Sequence, residues 1–196
     1  MEPLPPYTAV VLAGGRAARL GGQAKPQLEV GGRTMLGAVL AAVSDADRRV
    51  VVGPVQPVPA DVLLVRERPP GGGPVTALRA GLDEVATETV AVLAGDLPFL
   101  TASLIAELRR SLTGDGVLVV DDTGRDQLLL GIWRTEVVRG AVGDATGPTS
   151  LRKVFAPLAV RRIRPAPAPG TPAPWLDCDT PADLARARQA ARGLFG

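Results

Sequence analysis

The stretch that most limits what this chain can become is residues 8–25, TAVVLAGGRAARLGGQAK. Ala9, Val10, Val11 and Leu12 make an apolar, partly β-branched run that stops at Gly14-Gly15. A strand with no polar alternation is buried on both faces, which is the habit of a mainly parallel sheet covered by helices. The loop that follows carries Arg16, Arg19, Gly21-Gly22 and Lys25. Glycines let the main chain approach a ligand closely, and Arg and Lys supply counter-charge, so such a loop suits phosphate. A bare strand-to-helix turn is the plainer alternative. The loop lacks the Gly-Lys-Ser/Thr close of a P-loop and the G-x-G-x-x-G spacing of a dinucleotide turn.

The same alternation continues down the chain. Thr34 starts a helical pattern (Met35, Leu36, Val39, Leu40, Val43) that stops near Ser44-Asp45. Residues 49–53 (RVVVG) and 62–65 (VLLV) read as strands joined by the extended connector PVQPVPA. GGGP at 71–74 heads an amphipathic helix with Val75, Leu78, Leu82 and Val85 on one face. Its proline stands in the first turn, where a missing N–H costs nothing. Residues 89–94 (TVAVLA) form another apolar strand, and Thr101 is placed to cap the helix ASLIAELRRSL. Strands follow at 116–120 and 128–133, a short helix at 149–155 and a last strand at 159–163. The segment 165–174, PAPAPGTPAP, reads as an extended strap, and Thr180-Pro181-Ala182-Asp183 opens a terminal helix to about residue 192. This order predicts an α/β fold: a mainly parallel, doubly wound sheet with helices on both faces.

Composition narrows the function classes. A chain of 196 residues, 46% hydrophobic and 21% charged, has the size and content of one globular domain. A net charge of +2, with no basic block interleaved with aromatics, gives no sign of a nucleic-acid partner. No apolar run reaches membrane-spanning length and the opening MEPLPPY lacks the pattern of a secretion signal. With a single cysteine, Cys178, the expected setting is the cytoplasm. Histidine is absent, so catalysis proceeds without imidazole. Lysine occurs only at Lys25 and Lys153 in a chain that otherwise uses arginine, so a compact ammonium in the glycine loop is notable.

Three further features carry chemistry beside a plainer reading. Asp96 follows the apolar strand at 89–94, where open α/β sheets bind ligands at their carboxyl edge. It suits a Mg²⁺ ligand better than a helix cap, because Thr101 is better placed to cap. Asp177 and Asp179 flank Cys178 and would face one side of an extended segment, as a metal pair or as part of the turn before Thr180. Cys178 reads as a small packed residue, with no histidine to activate it. Gly71-Gly72-Gly73 would contact a base or ribose, or act as a hinge.

LAGG-x-x-x-R-L followed by Lys25, GGGP before a helix, LAGDLPFL, LLLGIWR followed by GPTSLR, and DTPADL together resemble the MobA-type nucleotidyltransferases. These are the molybdenum cofactor guanylyltransferases and their relatives, and the resemblance runs from about residue 7 to residue 192. It implies a GT-A-like, three-layer Rossmann-like domain spanning 1–196. The implied reaction moves GMP from GTP to the phosphate of molybdopterin and releases pyrophosphate. The alternatives are cytidylyl or other nucleotidyl transfer to molybdopterin or to a small phosphate, and a non-catalytic nucleotide-binding module. The implied nucleotide contacts are Leu12, Ala13, Gly14, Gly15, Lys25, Glu67, Gly73 and Asp96. Arg19, Lys25 and Asp96 would be catalytic, and Asp96 and Asp179 would hold Mg²⁺. Arg134, Arg152 and Lys153 are candidates for the acceptor. Two aspartates stand where that family's late motif usually has asparagines. The implied state is a monomer or weak homo-oligomer with transient contacts to proteins of the same pathway, without nucleic acid or membrane.

Overall fold

Strands with no polar face require cover on both sides, and the chain supplies it. The computed structural model describes residues 4–14, 19–20, 23–145, 149–167 and 169–195, without the side chains of 19, 20, 23, 194 and 195. Strand β1 (Tyr7–Leu12) is buried throughout and stands near the middle of the main sheet. Two small hairpins follow, β2 (Arg19–Leu20) with β3 (Gln23–Ala24) and β4 (Glu29–Val30) with β5 (Arg33–Thr34), separated by a 3₁₀ turn at Lys25–Gln27. Next come α1 (Met35–Ala42), β6 (Arg48–Val52), β7 (Val62–Val65), α2 (Pro74–Leu82), β8 (Thr89–Ala94) and α3 (Ala102–Ser111). The chain ends with β9 (Gly116–Val120), β10 (Asp126–Arg134), α4 (Thr135–Gly143), α5 (Leu151–Phe155), β11 (Val160–Ile163) and α6 (Pro181–Phe195).

The seven-stranded sheet has the order β11-β9-β10-β8-β1-β6-β7. β10 runs antiparallel to both its neighbours, and the other pairings are parallel. Side chains alternate across β1. Ala9 and Val11 pack with α1 and α3 on one face, and Val10 and Leu12 with α2, α4 and α5 on the other. The expected three layers are therefore present. α6 closes a smaller cluster over the β4–β5 hairpin, in which Leu28, Val30 and Met35 meet Cys178, Leu184 and Ala187.

Local chemistry sets the helix starts. The Thr34 hydroxyl accepts the Gly37 N–H at 3.0 Å, and the Thr101 hydroxyl accepts the Leu104 N–H at 3.3 Å. Thr180 and Asp183 cap each other, the Thr180 N–H donating to Asp183 at 2.8 Å and the Asp183 N–H to the Thr180 hydroxyl at 3.2 Å. This box starts α6, which continues to Phe195 rather than ending near residue 192. Helix α5 starts later than residue 149, because Ser150 is its cap. Helix α4 has no counterpart in the sequence reading. Its cap residue Arg134 makes no side-chain cap bond, and the Thr135 hydroxyl donates to the Thr87 carbonyl at 2.7 Å instead.

α2 lies so close to the sheet that a Cβ on Gly81 would overlap Val10 and touch Val52. Gly81→Ala is therefore expected to lower stability by about 1–3 kcal/mol through overpacking. A fall of that size in the unfolding free energy from urea titration checks it; an unchanged free energy would mean α2 can move away freely.

Candidate active site

The carboxyl ends of β1, β6 and β8 meet at one edge of the sheet, where strand order and chain order part company. A cleft of about 540 Å³ opens there. Leu12, Ala13 and Gly14 after β1, and Ala94, Gly95 and Asp96 after β8, line one part of it. Glu67, Gly71-Gly72-Gly73 and the first turn of α2 line a second part, and Lys25, Pro26 and Asp179 a third.

Backbone ties hold the first part in place. The Ala13 N–H donates to Val52 O at 2.8 Å and the Gly95 N–H to Leu12 O at 2.9 Å. Strand exits can approach this closely only without side chains between them: a Cβ on Gly53 would come within 2.8 Å of Ala13 O. In the second part, Glu67 accepts the Gly71 N–H at 3.0 Å, and Gly73 turns into α2 with φ +89°. The partial positive end of a nine-residue helix, α2, therefore opens on the cleft.

Lys25 carries the electrostatics. Its Nζ lies 2.5 Å from Asp96 Oδ2 and 2.6 Å from Asp179 Oδ1, and the lysine is 7% exposed. Burial alone would lower the ammonium's pKa, but the bonds to Asp179 and Asp96 outweigh it and hold it above the ordinary lysine value. Asp177 does not line the cleft, yet its carboxyl is raised, first by partial desolvation and then by Asp179 and Asp96. Among the described side chains at this point three carboxylates surround one ammonium, an excess of negative charge that suits a further cation.

Among the described residues no three His, Cys, Asp or Glu side chains gather as a metal cluster. Two carboxylates that converge on one cation, Asp96 and Asp179, are nonetheless the number Mg²⁺ takes when phosphate and water complete its octahedron. These are the residues able to hold such an ion. Cys178 turns the other way and is fully buried; burial, then Asp96, pushes its thiol up to about 11. It is a packing residue that anchors the segment presenting Asp179.

Of the residues singled out from sequence, Leu12, Ala13, Gly14, Lys25, Glu67, Gly73, Asp96 and Asp179 line one cleft. Gly15 and the Arg19 side chain lie outside the described residues. Strand direction places Arg134 away from this cleft. Because β10 runs against β8, Arg134 pairs with Thr89 at the opposite edge, and its Nε donates to Gly114 O at 2.8 Å. Arg152 and Lys153 are exposed on α5 and do not line the cleft. Pro26, Ala77 and Leu129 line it without any sequence signal, since apolar side chains there look like ordinary core. Arg134→Ala is expected to leave nucleotide affinity within about twofold of wild type, the range of a surface substitution. A large loss in calorimetric titration would contradict the placement.

Comparison with known proteins shows the family and the fold. Residues 9–163 match the family model described as a MobA-like NTP transferase domain. A molybdenum cofactor guanylyltransferase of Bradyrhizobium sp. (strain ORS 278) is 28% identical over 195 residues, covering 93% of this chain and 92% of its own. One of the same name from Nitrobacter hamburgensis is 28% identical over 205 residues, covering 96% of each. Among solved structures, molybdopterin-guanine dinucleotide biosynthesis protein A of Archaeoglobus fulgidus superposes with a TM-score of 0.70 at 18% identity. That match covers 93% of this chain and 97% of the other, and it speaks for the fold.

Proposed function

The chain belongs to the MobA-like NTP transferase family, and on that premise we propose that it transfers GMP from GTP to the terminal phosphate of molybdopterin. The relatives' shared name supports this acceptor, and a cytoplasmic setting goes with it, in keeping with a lone, buried cysteine. The observation that carries the reading is Lys25. It is a buried ammonium held by Asp96 and Asp179 in the same cleft as the glycine turn after β1.

The reaction joins an acceptor phosphate oxygen to the α-phosphorus of the nucleotide and breaks the bond from that phosphorus to the β-phosphate. The departing oxygen keeps the bonding pair, and pyrophosphate leaves. The acceptor is already an anion, so no base has to take a proton, which suits a chain without histidine. What the protein contributes is alignment and charge neutralisation. The backbone at Ala13-Gly14 and the loop Gly71-Gly72-Gly73 receive the nucleoside end, and Lys25 receives the phosphates. To do so Lys25 exchanges at least one carboxylate for phosphate oxygens, a swap between anionic partners that keeps the ammonium paired throughout. Asp96 and Asp179 would hold Mg²⁺, which when bound supplies the charge that neutralises the triphosphate and the leaving pyrophosphate.

Pyrophosphate release with GTP, CTP, ATP and UTP, each with Mg²⁺ and molybdopterin, tests the reading. GTP-selective release with label from the α-phosphate in the pterin is expected. Release only with CTP, or only with another acceptor, would move the chain to a sister activity, and none at all would favour a binding module. In the same assay Lys25→Ala is expected to cost about 2–4 kcal/mol of transition-state stabilisation, the scale of one preorganised electrostatic group. Asp96→Ala is expected to abolish nearly all turnover, and near-normal rates in either variant would contradict the roles assigned.

A further inference from the structure

Two side-chain amides outside the cleft join its two ends. Gln56, 9% exposed, donates from Nε2 to Ala13 O at 3.2 Å and to Pro54 O at 3.3 Å. Its Oε1 accepts from Gln27 Nε2 at 3.0 Å, which also donates to Pro57 O at 3.3 Å. Gln27 closes the 3₁₀ turn that begins at Lys25, and the next N–H, that of Leu28, returns to Lys25 O at 3.1 Å. Ala13 and Lys25 both line the cleft, whereas Gln27 and Gln56 do not. Gly53 leaves the space this link occupies: a Cβ there would press to 3.1 Å from Gln56 Nε2 and 2.8 Å from Ala13 O.

We propose that Gln56 and Gln27 form a positioning relay that sets the spacing between the glycine turn at Ala13-Gly14 and the ammonium of Lys25. The spacing between the nucleoside end and the phosphate end of a bound triphosphate follows from it. The proposal rests on the reading of this cleft as a nucleoside triphosphate site. The two glutamines lie 29 residues apart in sequence and belong to different elements, so their bond fixes one part of the cleft against another. A buried amide that only satisfied its own loop would need the Pro54 contact and nothing from Gln27. Here one carboxamide uses its donor side on the β1 exit and its acceptor side on the lysine turn. Because neither residue touches the ligand position, each acts through what it holds: Gln56 through Ala13, and Gln27 through Lys25.

The test is a double-mutant cycle on the full chain, read as the GTP dissociation constant by calorimetry, with thermal midpoints measured alongside. Gln27→Leu removes the link to the lysine turn and is expected to weaken GTP binding about fivefold, the scale of one neutral hydrogen bond. In a Lys25→Ala background the same change is expected to cost less than about twofold, because the group it positions is gone. Gln56→Met, which keeps length and volume, is expected to be non-additive with Gln27→Leu, since the two changes delete one shared bond. Equal losses from Gln27→Leu in both backgrounds, or full additivity of the glutamine pair, would overturn the relay while leaving the cleft reading intact. GTP binding unaffected by Lys25→Ala would overturn the cleft reading and the relay with it. Should Gln56→Met not fold, the cycle between half-buried Gln27 and Lys25 decides the matter alone.

Discussion

One ammonium between two carboxylates holds the working end of this molecule together. Lys25, Asp96 and Asp179 come from the turn after β3, the end of β8 and the approach to α6, the last of them 154 residues from the lysine. A buried lysine is tolerated only when paired, and removing one partner of such a pair leaves an uncompensated charge. The arrangement also suits a lysine at this position, in a chain that has only one other. A compact ammonium with three rotatable donors can satisfy two carboxylates from different directions and then turn to a third anion.

Everything around the clamp serves to deliver its three members. Asp96 arrives on a fully apolar strand whose exit lies against that of β1, and the small residues Gly53 and Gly95 let these exits approach. Asp179 sits on extended chain between Cys178, buried under α6, and the Thr180–Asp183 capping box that starts α6. Lys25 is carried by a single 3₁₀ turn, which Gln27 ties to Gln56 and through it to Ala13.

Much of this was legible before the fold was known, for identifiable reasons. Strands 62–65, 89–94 and 116–120 occupy the residues read as strands, because apolar runs of that length between turn residues admit little else. Thr34 and Thr101 cap helices as their chemistry suggests. Strand direction was not legible: nothing in LLLGIWR tells that β10 runs against its neighbours, so the edge at which Arg134 lies could not be read from the sequence. Helix α4 was missed because its threonine bonds elsewhere than to its own helix, and two-residue strands such as β2 and β4 leave no periodicity to read. In the late motif, the alternation about Cys178 set both aspartates apart from the core residue, but only tertiary contact separates Asp179, which reaches Lys25, from Asp177, which does not line the cleft. The Gln27–Gln56 bond had no sequence signal at all, since it joins isolated amides across 29 residues.

The most direct test of the central claim is a crystal structure of the protein with a non-hydrolysable GTP analogue. If Lys25 serves as the phosphate-binding cation that the carboxylates hold ready, its Nζ will lie on phosphate oxygens and at least one of the contacts to Asp96 and Asp179 will be broken. A triphosphate bound away from Lys25, with the ammonium still on both carboxylates, would contradict it.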